Sequence, residues 1–340
     1  MLPIPDFALL NNFQRDFPLV TRPFQTLALV LGSTEEAVLH ACRRYQAAGV
    51  IGRIGAVFAP RRVGASTLAA LAVPPAELAR VAALVSAQPG VNHNYAREHR
   101  YNLWFVVTAP DAAELAAILA GIESQSGCPL LTLPLEDEFH IDLGFDLSGA
   151  GQKCGDGVPS TGGESPCALS GLERQLMSVL QEGLPLVAAP FRKLADQLGL
   201  HEAMLIEMIA DWLETGIIKR FGIVLRHHEL GYTANAMCVW DVPDALVAAL
   251  GRQLAEEAAV TLCYRRRRAG EAWPYNLYCM IHGKARAEVL ATRAAIAARL
   301  GLDAWPQQVL FSVQRFKQQG ACYASAMTDE TRRAIHGECQ

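Results

Sequence analysis

Residues 91–105 carry a high density of side chains that can move protons or bind anions. Such side chains recur at every second position: His93, Tyr95, Arg97 and His99. On an extended strand, side chains two residues apart share one face of the sheet. The polar residues that follow predict a tight hairpin and a returning strand. A half-buried strand with a solvated turn would explain one histidine. Two histidines interleaved with tyrosine and arginine favour a functional site.

Composition limits the classes of protein that need to be considered. The chain has 340 residues, enough for several domains, and a formal net charge of -4, so it is not a nucleic-acid polycation. Its 9 cysteines include no Cys-x-x-Cys pair, which removes the usual spacing of a metal site. We find no signal-peptide pattern and no apolar run of bilayer length. We therefore expect a cytoplasmic protein with reduced thiols and no membrane partner.

The chain is one module written twice. The motif Phe24-x-x-Leu-Ala returns as Phe191-x-x-Leu-Ala, and Arg53 returns as Arg220, both at an offset of 167 residues. A repeat of this length indicates two copies of the same structural unit.

The second copy has a longer hairpin turn than the first. Tyr95 matches Tyr264 at an offset of 169 residues, whereas Tyr101 matches Tyr275 at an offset of 174, so the second turn holds five extra residues. Between the copies lies a Gly/Ser/Pro-rich stretch that predicts a flexible linker, which would keep the two halves at a high effective concentration. We divide the chain into segments 1–55, 56–147, 148–168 (linker), 169–222, 223–330 and 331–340 (tail).

Each copy opens with three helical patterns. In the first copy, Asp6 can cap the first helix, and the Ser33-Thr-Glu-Glu pattern predicts a capping box for the third. Ser170 repeats the capping-box pattern in the second copy. The strand that follows, around Ile51 and Ile54, and a hairpin-like return complete the pattern of a winged helix-turn-helix.

The rest of each copy predicts the ferredoxin-like order, strand-helix-strand-strand-helix-strand. The predicted elements are 66–73, 75–88, 91–95, 101–107, 111–124 and 130–135, repeated over 234–316. The fold class is therefore α+β. It is a tandem repeat of a winged helix-turn-helix plus a ferredoxin-like domain, forming an intramolecular pseudo-dimer with its sheets packed together.

This order of domains resembles the Lrp/AsnC family. Within that family, three motifs are similar to the siroheme decarboxylases: Arg53-Ile-Gly-Ala-Val-Phe, Val91-Asn-His-Asn-Tyr-Ala-Arg-Glu-His and Tyr101-Asn-Leu-Trp-Phe. The similarity covers nearly the whole chain except the linker. Those enzymes have two related subunits, and this chain resembles the fused form that serves haem d1 biosynthesis.

The resemblance implies an activity. Siroheme decarboxylases remove the carboxyls of two acetate side chains of siroheme, giving didecarboxysiroheme, and we expect no organic cofactor. The implied partners are siroheme as the substrate, other tetrapyrrole-pathway enzymes for handover, and another copy of the chain in a homo-oligomer.

Two other functions fit the same order of domains: an Lrp/AsnC-type transcriptional regulator and a tetrapyrrole-binding carrier. A DNA-reading helix should carry Arg, Lys, Asn or Gln on its outer face. Residues 201–214 hold four carboxylates and no Lys or Arg, and Arg43 and Arg44 of the first copy are accompanied by Glu35 and Glu36. We therefore expect no DNA binding, because the carboxylates would repel phosphates.

An acidic, disc-shaped ligand needs aromatic walls and guanidinium groups at its rim, since Arg forms bidentate pairs with carboxylates. A solvated turn is the competing explanation for the arginine run 265–268, and a structural salt bridge for Arg53 and Arg220. The predicted substrate-binding residues are Arg53, Tyr95, Arg97, Arg100, Asn102, Arg220, Tyr264, Arg266 and Asn276.

His93 and His99 are the predicted catalytic residues. Loss of carbon dioxide leaves a carbanion that must be protonated, and an imidazolium is a natural donor near neutral pH. Axial ligation of the substrate iron is the competing role for either histidine, and we predict no metal held by the protein alone. His93 corresponds to Leu262 and the region of His99 to Arg268, so the repeat predicts one catalytic site with histidines from the first half.

Overall fold

The computed structural model describes residues 4–141, 167–226, 234–321 and 323. The predicted linker lies outside the described residues except for its last two positions, and the predicted tail lies entirely outside them. Residues 227–233, where the repeat places the hairpin-like return of the second copy, also lie outside the described part of the chain.

The first helical unit consists of α1 (Ile4–Asn12), α2 (Pro23–Val30) and α3 (Glu35–Ala47). Thr34 caps α3 by accepting a hydrogen bond from the Ala37 amide, one residue after the predicted cap at Ser33. Asp6 lies inside the first turn of α1, where it accepts a hydrogen bond from the Tyr45 hydroxyl at 2.8 Å and so joins α1 to α3 rather than capping α1.

The second helical unit repeats the first with α7 (Gly171–Glu182), α8 (Pro190–Leu198) and α9 (Glu202–Glu214). Its predicted capping box is present: the Ser170 side chain accepts from the Glu173 amide, and the Glu173 side chain accepts from the Ser170 amide. The buried faces of the helices of both units form a single hydrophobic cluster that holds the two helix-turn-helix units together.

The strand after each helical unit pairs with its own repeat. β1 (Ile51–Phe58) runs antiparallel to β6 (Ile218–Leu225), with Gly55 opposite Gly222. The hairpin-like return predicted for the first half was therefore wrong, because β1 finds its hydrogen-bonding partner in the other half. The short helix α4 (Pro60–Val63) follows β1 instead of a wing.

The first ferredoxin-like unit follows the predicted order of elements. It contains β2 (Ala65–Leu71), α5 (Leu78–Ala87), β3 (Val91–Arg97), β4 (Leu103–Ala109), α6 (Ala112–Ser126) and β5 (Leu130–Ile141). The strands are arranged β3-β4-β2-β5. α5 and α6 pack on one face of this sheet, over a core that includes Val81, Val85 and Phe105.

The second unit has the same arrangement, β8-β9-β7-β10. Its elements are β7 (Ala234–Trp240), α10 (Asp244–Glu256), β8 (Val260–Arg266), β9 (Leu277–Gly283), α11 (Arg286–Leu300) and β10 (Gln307–Gln318).

The two sheets close on each other through their long last strands. β5 pairs with β2 through its first residues and with β8 through its last, and β10 pairs in the same way with β7 and β3. The result is a closed ring of eight strands with helices outside. Its interior is packed with aromatic and aliphatic side chains, including Trp104, Trp273 and Tyr278, all at most 2% exposed.

Candidate functional site

The interior face of β3 carries the predicted chemistry. Asn94 faces outward, where its amide nitrogen donates to the Ala82 carbonyl of α5 at 3.0 Å. Because successive side chains alternate, His93, Tyr95 and Arg97 face the interior of the ring. The rings of His93 and Tyr95 stack with their centroids 6.3 Å apart, and the Arg97 guanidinium lies 5.9 Å from the Tyr95 ring centroid.

His93 is held neutral and in one tautomer. Its Nδ1 lies 2.9 Å from Asn92 Oδ1. An amide oxygen only accepts, so Nδ1 must donate, and Nε2 keeps its lone pair. Burial, and to a lesser extent the positive charge of Arg53, lowers the pKa of His93 to about 4. The imidazole is therefore poised to gain a proton at Nε2 when negative charge arrives nearby.

Arg53 reaches this place from the helix-turn-helix side. Its Nη2 donates to the Ala56 carbonyl at 2.8 Å, and burial lowers the pKa of its guanidinium. The chain approaches the guanidinium so closely at Gly320 that a Cβ there would collide with Nη1. The preceding Gln319 amide donates to the Asn92 carbonyl at 2.9 Å, so the segment after β10 lies against both Arg53 and β3.

Two arginines outside the predicted set of binding residues also adjoin Tyr95. Arg315 is the cross-strand partner of Tyr95 on β10, and Arg226 follows β6. Burial raises the pKa of the Tyr95 hydroxyl, and the charges of Arg97, Arg315 and Arg226 oppose that rise. Arg315 could have been found from the repeat, because pairing Phe139-His with Phe316-Lys also pairs Glu138 with Arg315. Arg226 had no sequence signal, since it depends on the pairing of β1 with β6.

His99 lies apart from His93. Four residues of extended strand separate His93 from Arg97, which is about 13 Å, and His99 lies in the turn beyond. Its Nδ1 accepts from the Tyr101 amide at 3.0 Å, so the neutral ring carries its proton on Nε2. Burial, and then the charge of Arg100, lowers the pKa of His99.

Trp273 of the second half covers His99, with ring centroids 5.3 Å apart in an edge-to-face arrangement. The two predicted catalytic imidazoles therefore have separate surroundings and hold opposite tautomers.

The second half supplies Tyr264 and Arg266 to the same interior. The Arg266 guanidinium lies 4.6 Å from the Tyr264 ring centroid, and its Nη1 donates to the Leu133 carbonyl at 2.7 Å. Arg97 makes the equivalent bond to the Leu310 carbonyl at 2.8 Å. These two bonds tie each sheet to the long strand of the other half.

The other members of the arginine run have carboxylate partners within the chain. Arg265 pairs with Glu136, Asp137 and Asp244, Arg267 with Glu136, and Arg268 with Asp241 and Asp244. This stretch of the turn is therefore a salt-bridged network rather than an open anion site.

Asn102, Asn276 and Arg100 were predicted to bind substrate, but they lie outside the cluster around His93. Asn102 uses its carboxamide on both backbone groups of Val73, at 2.8 and 2.9 Å, and Asn276 does the same with Val242 at 2.9 Å for both bonds. These contacts give both asparagines a structural role at the ends of β2 and β7. Arg100 is exposed in the turn, beside the Tyr101 ring.

Arg220 occupies the position in the second half that Arg53 has in the first. Its Nη1 donates to the carbonyls of Gln14 and Ile223. It lines a cavity of about 430 Å³ together with residues 15–19, Leu213, Lys219 and Phe221. Neither predicted catalytic histidine lines this cavity.

Within the described residues, no group of three or more His, Cys, Asp or Glu side chains is placed to hold a metal ion. No helix in the described ranges is long and apolar enough to cross a bilayer.

The two ferredoxin-like sheets close into one ring, and the two helix-turn-helix units join through β1 and β6. With its two halves related by an approximate twofold, this arrangement defines an Lrp/AsnC-like pseudo-dimer with a basic interior site. A family model described as the AsnC-like ligand binding domain matches residues 62–140 and 229–317. A second, described as the siroheme decarboxylase NirDL-like HTH domain, matches residues 6–51 and 173–219.

Full-length relatives extend the match over almost the whole chain. The siroheme decarboxylase NirDL subunit of Paracoccus denitrificans (strain Pd 1222) is 44% identical over 94% of this chain and 97% of its own length. The siroheme decarboxylase of Hydrogenobacter thermophilus (strain DSM 6534 / IAM 12695 / TK-6) is 33% identical over 93% of this chain and 94% of its own.

The crystal structure of the siroheme decarboxylase NirDL superposes with a TM-score of 0.69 at 29% identity, covering 98% of this chain and 97% of that one. The chain belongs to the siroheme decarboxylase family and is an enzyme of that class, as its motifs predicted.

Proposed function

We propose that this protein removes the carboxyl groups of two acetate side chains of siroheme, giving didecarboxysiroheme, within haem d1 biosynthesis. The observation that carries the proposal is the cluster of side chains on β3. In this cluster the neutral, part-buried imidazole of His93 adjoins Arg53 and Tyr95, and three arginines surround the Tyr95 hydroxyl. A crystal structure of the siroheme decarboxylase NirDL in co-complex with an iron-uroporphyrin III analogue supports a tetrapyrrole as the ligand of this fold.

Substrate binding rests on charge and aromatic surface. Siroheme carries its carboxylates at the rim of a flat macrocycle, so guanidiniums suit the rim and aromatic rings suit the disc. Arg53, Arg226, Arg315 and Arg97 supply the guanidiniums, and Tyr95 supplies an aromatic face. A carboxylate that displaces water in such a part-buried place makes charge-assisted hydrogen bonds, which are stronger than neutral ones.

The chemical step consumes one proton for each carbon dioxide released. The bond between the acetate carbon and its carboxylate breaks, carbon dioxide leaves, and the electron pair passes into the macrocycle. A proton then adds to the carbon. We assign this donation to His93, whose Nε2 gains a proton from solvent as bound carboxylates offset the effects that lower its pKa.

His99 has a different place in this scheme. The Nε2–H of its neutral ring can donate a hydrogen bond without prior protonation of the ring. His99 lies in the turn beyond the end of β3, away from His93. We propose that the two histidines act on different acetates or at different steps, each with its own surroundings. Axial ligation of the substrate iron is the competing role for either imidazole. No organic cofactor enters the proposal, because the macrocycle itself accepts the electron pair.

A role as a DNA-binding regulator is disfavoured by the exposed side chains of the helix-turn-helix units. α9 exposes Glu207, Asp211 and Glu214. On α3, Arg43 donates to the Leu186 carbonyl at 2.7 Å and Arg44 pairs with Asp6. Both arginines of α3 therefore already have partners within the protein.

Anaerobic incubation with siroheme, followed by mass analysis of the tetrapyrrole, tests the proposal directly. We expect loss of two carboxyl groups. Unchanged pigment in a tight complex would instead identify a carrier. A gel-shift assay at physiological salt separates the third function, since a sequence-selective nanomolar complex with DNA would identify a regulator.

A further inference from the structure

Asn92 forms a β-bulge in β3, directly before the imidazole to which the proposed function gives the proton transfer. Val91 lies opposite Val107 of β4, and His93 lies opposite Val106. Asn92 is therefore the extra residue of the strand pair. In a regular strand the side chains of neighbouring residues point to opposite faces and do not meet. The bulge changes that direction, so the Asn92 carboxamide reaches the ring of the very next residue.

The contact between Asn92 and His93 is enclosed, and its backbone is held from the other half. Asn92 is 3% exposed, so bulk water does not compete for its carboxamide. Its carbonyl accepts from the Gln319 amide at 2.9 Å, which anchors the bulge to the segment after β10. Asn92 Oδ1, 2.9 Å from His93 Nδ1, is thus presented from an anchored position. Such an acceptor determines both the direction of the ring and the nitrogen that carries the proton.

The second half has the same bulge and uses it differently. Thr261 is the extra residue of β8, between Val260 and Leu262, and it corresponds to Asn92 by the 169-residue offset. Its hydroxyl lies 2.9 Å from His282 Nδ1 on the neighbouring strand β9. The residue that follows it, Leu262, has no polar atom to bond. The bulge is therefore common to both halves, and its side chain turns to the following residue in the half that carries the imidazole.

We propose that Asn92 is the positioning residue of His93: from the bulge it keeps the proton of the neutral ring on Nδ1, so that Nε2 is the nitrogen that takes up a proton and delivers it to the substrate carbon. This inference rests on the proposed function for the reaction step that it serves. Asn92 acts through the imidazole rather than on the substrate itself. In the opposite tautomer the basic nitrogen would face the carboxamide and would be withdrawn from proton transfer.

An amide at this position also suits an acid better than a carboxylate would. A carboxylate at the same distance would stabilise the imidazolium and raise the pKa of His93, whereas an amide accepts the same bond without adding charge. The imidazolium formed beside an amide is the stronger acid towards a carbanion. Of the described groups around the ring, Arg53 carries a positive charge and Tyr95 is neutral. β4 and β10 place Val106 and Gln318 opposite His93.

Two substitutions at position 92 separate positioning from packing. Asn92→Leu keeps a similar volume and removes the acceptor, whereas Asn92→Asp keeps the acceptor and adds a negative charge. The matched control is Thr261→Val, which removes the side-chain hydroxyl from the second bulge and keeps its shape. The protonated nitrogen of His93 is identified in the substrate-free protein from ¹⁵N spectra of ring-labelled histidine, with His93→Asn to assign the signal. Values of kcat and KM for siroheme are measured anaerobically as a function of pH.

In the wild type at pH 7 we expect the proton of the His93 ring on Nδ1. Asn92→Leu should show the Nε2–H form and lower kcat by about 10- to 100-fold at nearly unchanged KM, as for other partners that fix a histidine tautomer. Because the imidazolium is the acid, kcat falls as pH rises through its pKa. Asn92→Asp should keep the proton on Nδ1 and move this fall to higher pH by about one unit or more. Thr261→Val should match the wild type in every measurement.

A wild-type His93 with its proton on Nε2 would overturn the inference, as would Asn92→Leu with the Nδ1–H form and wild-type kcat. If Asn92→Leu does not fold by circular dichroism, the wild-type spectrum and Asn92→Asp carry the test, and an unshifted pH profile in Asn92→Asp would overturn it. Failure of the proposed function has a different signature. The tautomers would then follow these expectations, while no protein, the wild type included, removes a carboxyl from siroheme.

Discussion

The neutral state of His93 can be measured as a pH dependence of stability. An unfolded histidine titrates near 6.5, whereas burial and the charge of Arg53 lower the pKa of His93 in the folded protein to about 4. Between these values the unfolded chain binds a proton that the folded protein does not. Folding is therefore destabilised as pH falls through this window, and the effect is absent above it.

The magnitude follows from the two pKa values. At pH 5 the penalty is about 2 kcal/mol relative to pH 7. The variant His93→Asn removes the titrating ring, and its amide N–H can still donate to Asn92 as Nδ1 does. The free energy of unfolding in urea is measured for wild type and variant at both pH values. The drop on acidification should be smaller in the variant by about 2 kcal/mol.

A matched control is His201→Asn. His201 is exposed at the start of α9 and makes no capping hydrogen bond, so this variant should show the wild-type drop. If His93→Asn also loses as much stability between pH 7 and pH 5 as the wild type does, then His93 is not held neutral. The assignment of Nε2 as the site of proton gain would fall with it.

Three further outcomes are expected. His93→Ala and His99→Ala should each lower turnover by about 10²–10⁴ while siroheme still binds. One of the two variants should accumulate monodecarboxysiroheme. Loss of siroheme binding, together with loss of the spectral shift that binding causes, would indicate iron ligation instead. Arg97→Ala and Arg266→Ala should weaken siroheme binding by about 1.5–3 kcal/mol, and equal wild-type affinity for an octaester analogue would contradict this. Asn276→Ala should lower the free energy of unfolding by about 2 kcal/mol or more without a comparable loss of affinity, because two backbone bonds are lost.

Local pattern sufficed for most of the fold. Capping boxes, the period of the apolar residues and the repeat predicted the helices and the ferredoxin-like order, because these depend on neighbours close in sequence. The pairing of β1 with β6 was missed because the sequence of a single strand does not specify the strand with which it pairs. The choice between a hairpin return and the other half is made by tertiary packing.

The candidate site was predictable where it lies on one strand. His93, Tyr95 and Arg97 follow from the alternation along β3. Arg226 and Arg315 do not, since they reach Tyr95 from the other half through β6 and β10. Asn102 and Asn276 were predicted to bind substrate only because of their place in the sequence. They follow the chemically rich hairpins, but their carboxamides are used on the backbone.

A final prediction concerns the linker. The site is built from both halves, and three strand pairings join them: β1 with β6, β5 with β8, and β10 with β3. The buried helix-turn-helix cluster is also shared between the halves. These interfaces are extensive and continuous with the core, so a covalent tether is needed for assembly more than for maintenance of the folded state.

We therefore expect a protease site inserted within residues 148–168 and cut after folding to leave turnover unchanged. The two fragments should elute together in gel filtration at micromolar concentration. After unfolding in urea and refolding at high dilution, the cut protein should recover activity more slowly than the intact chain, and the deficit should shrink as concentration rises, because the tether no longer supplies a millimolar effective concentration. Separation of the fragments under native conditions, with loss of siroheme binding, would show that the strand pairings alone do not hold the site together.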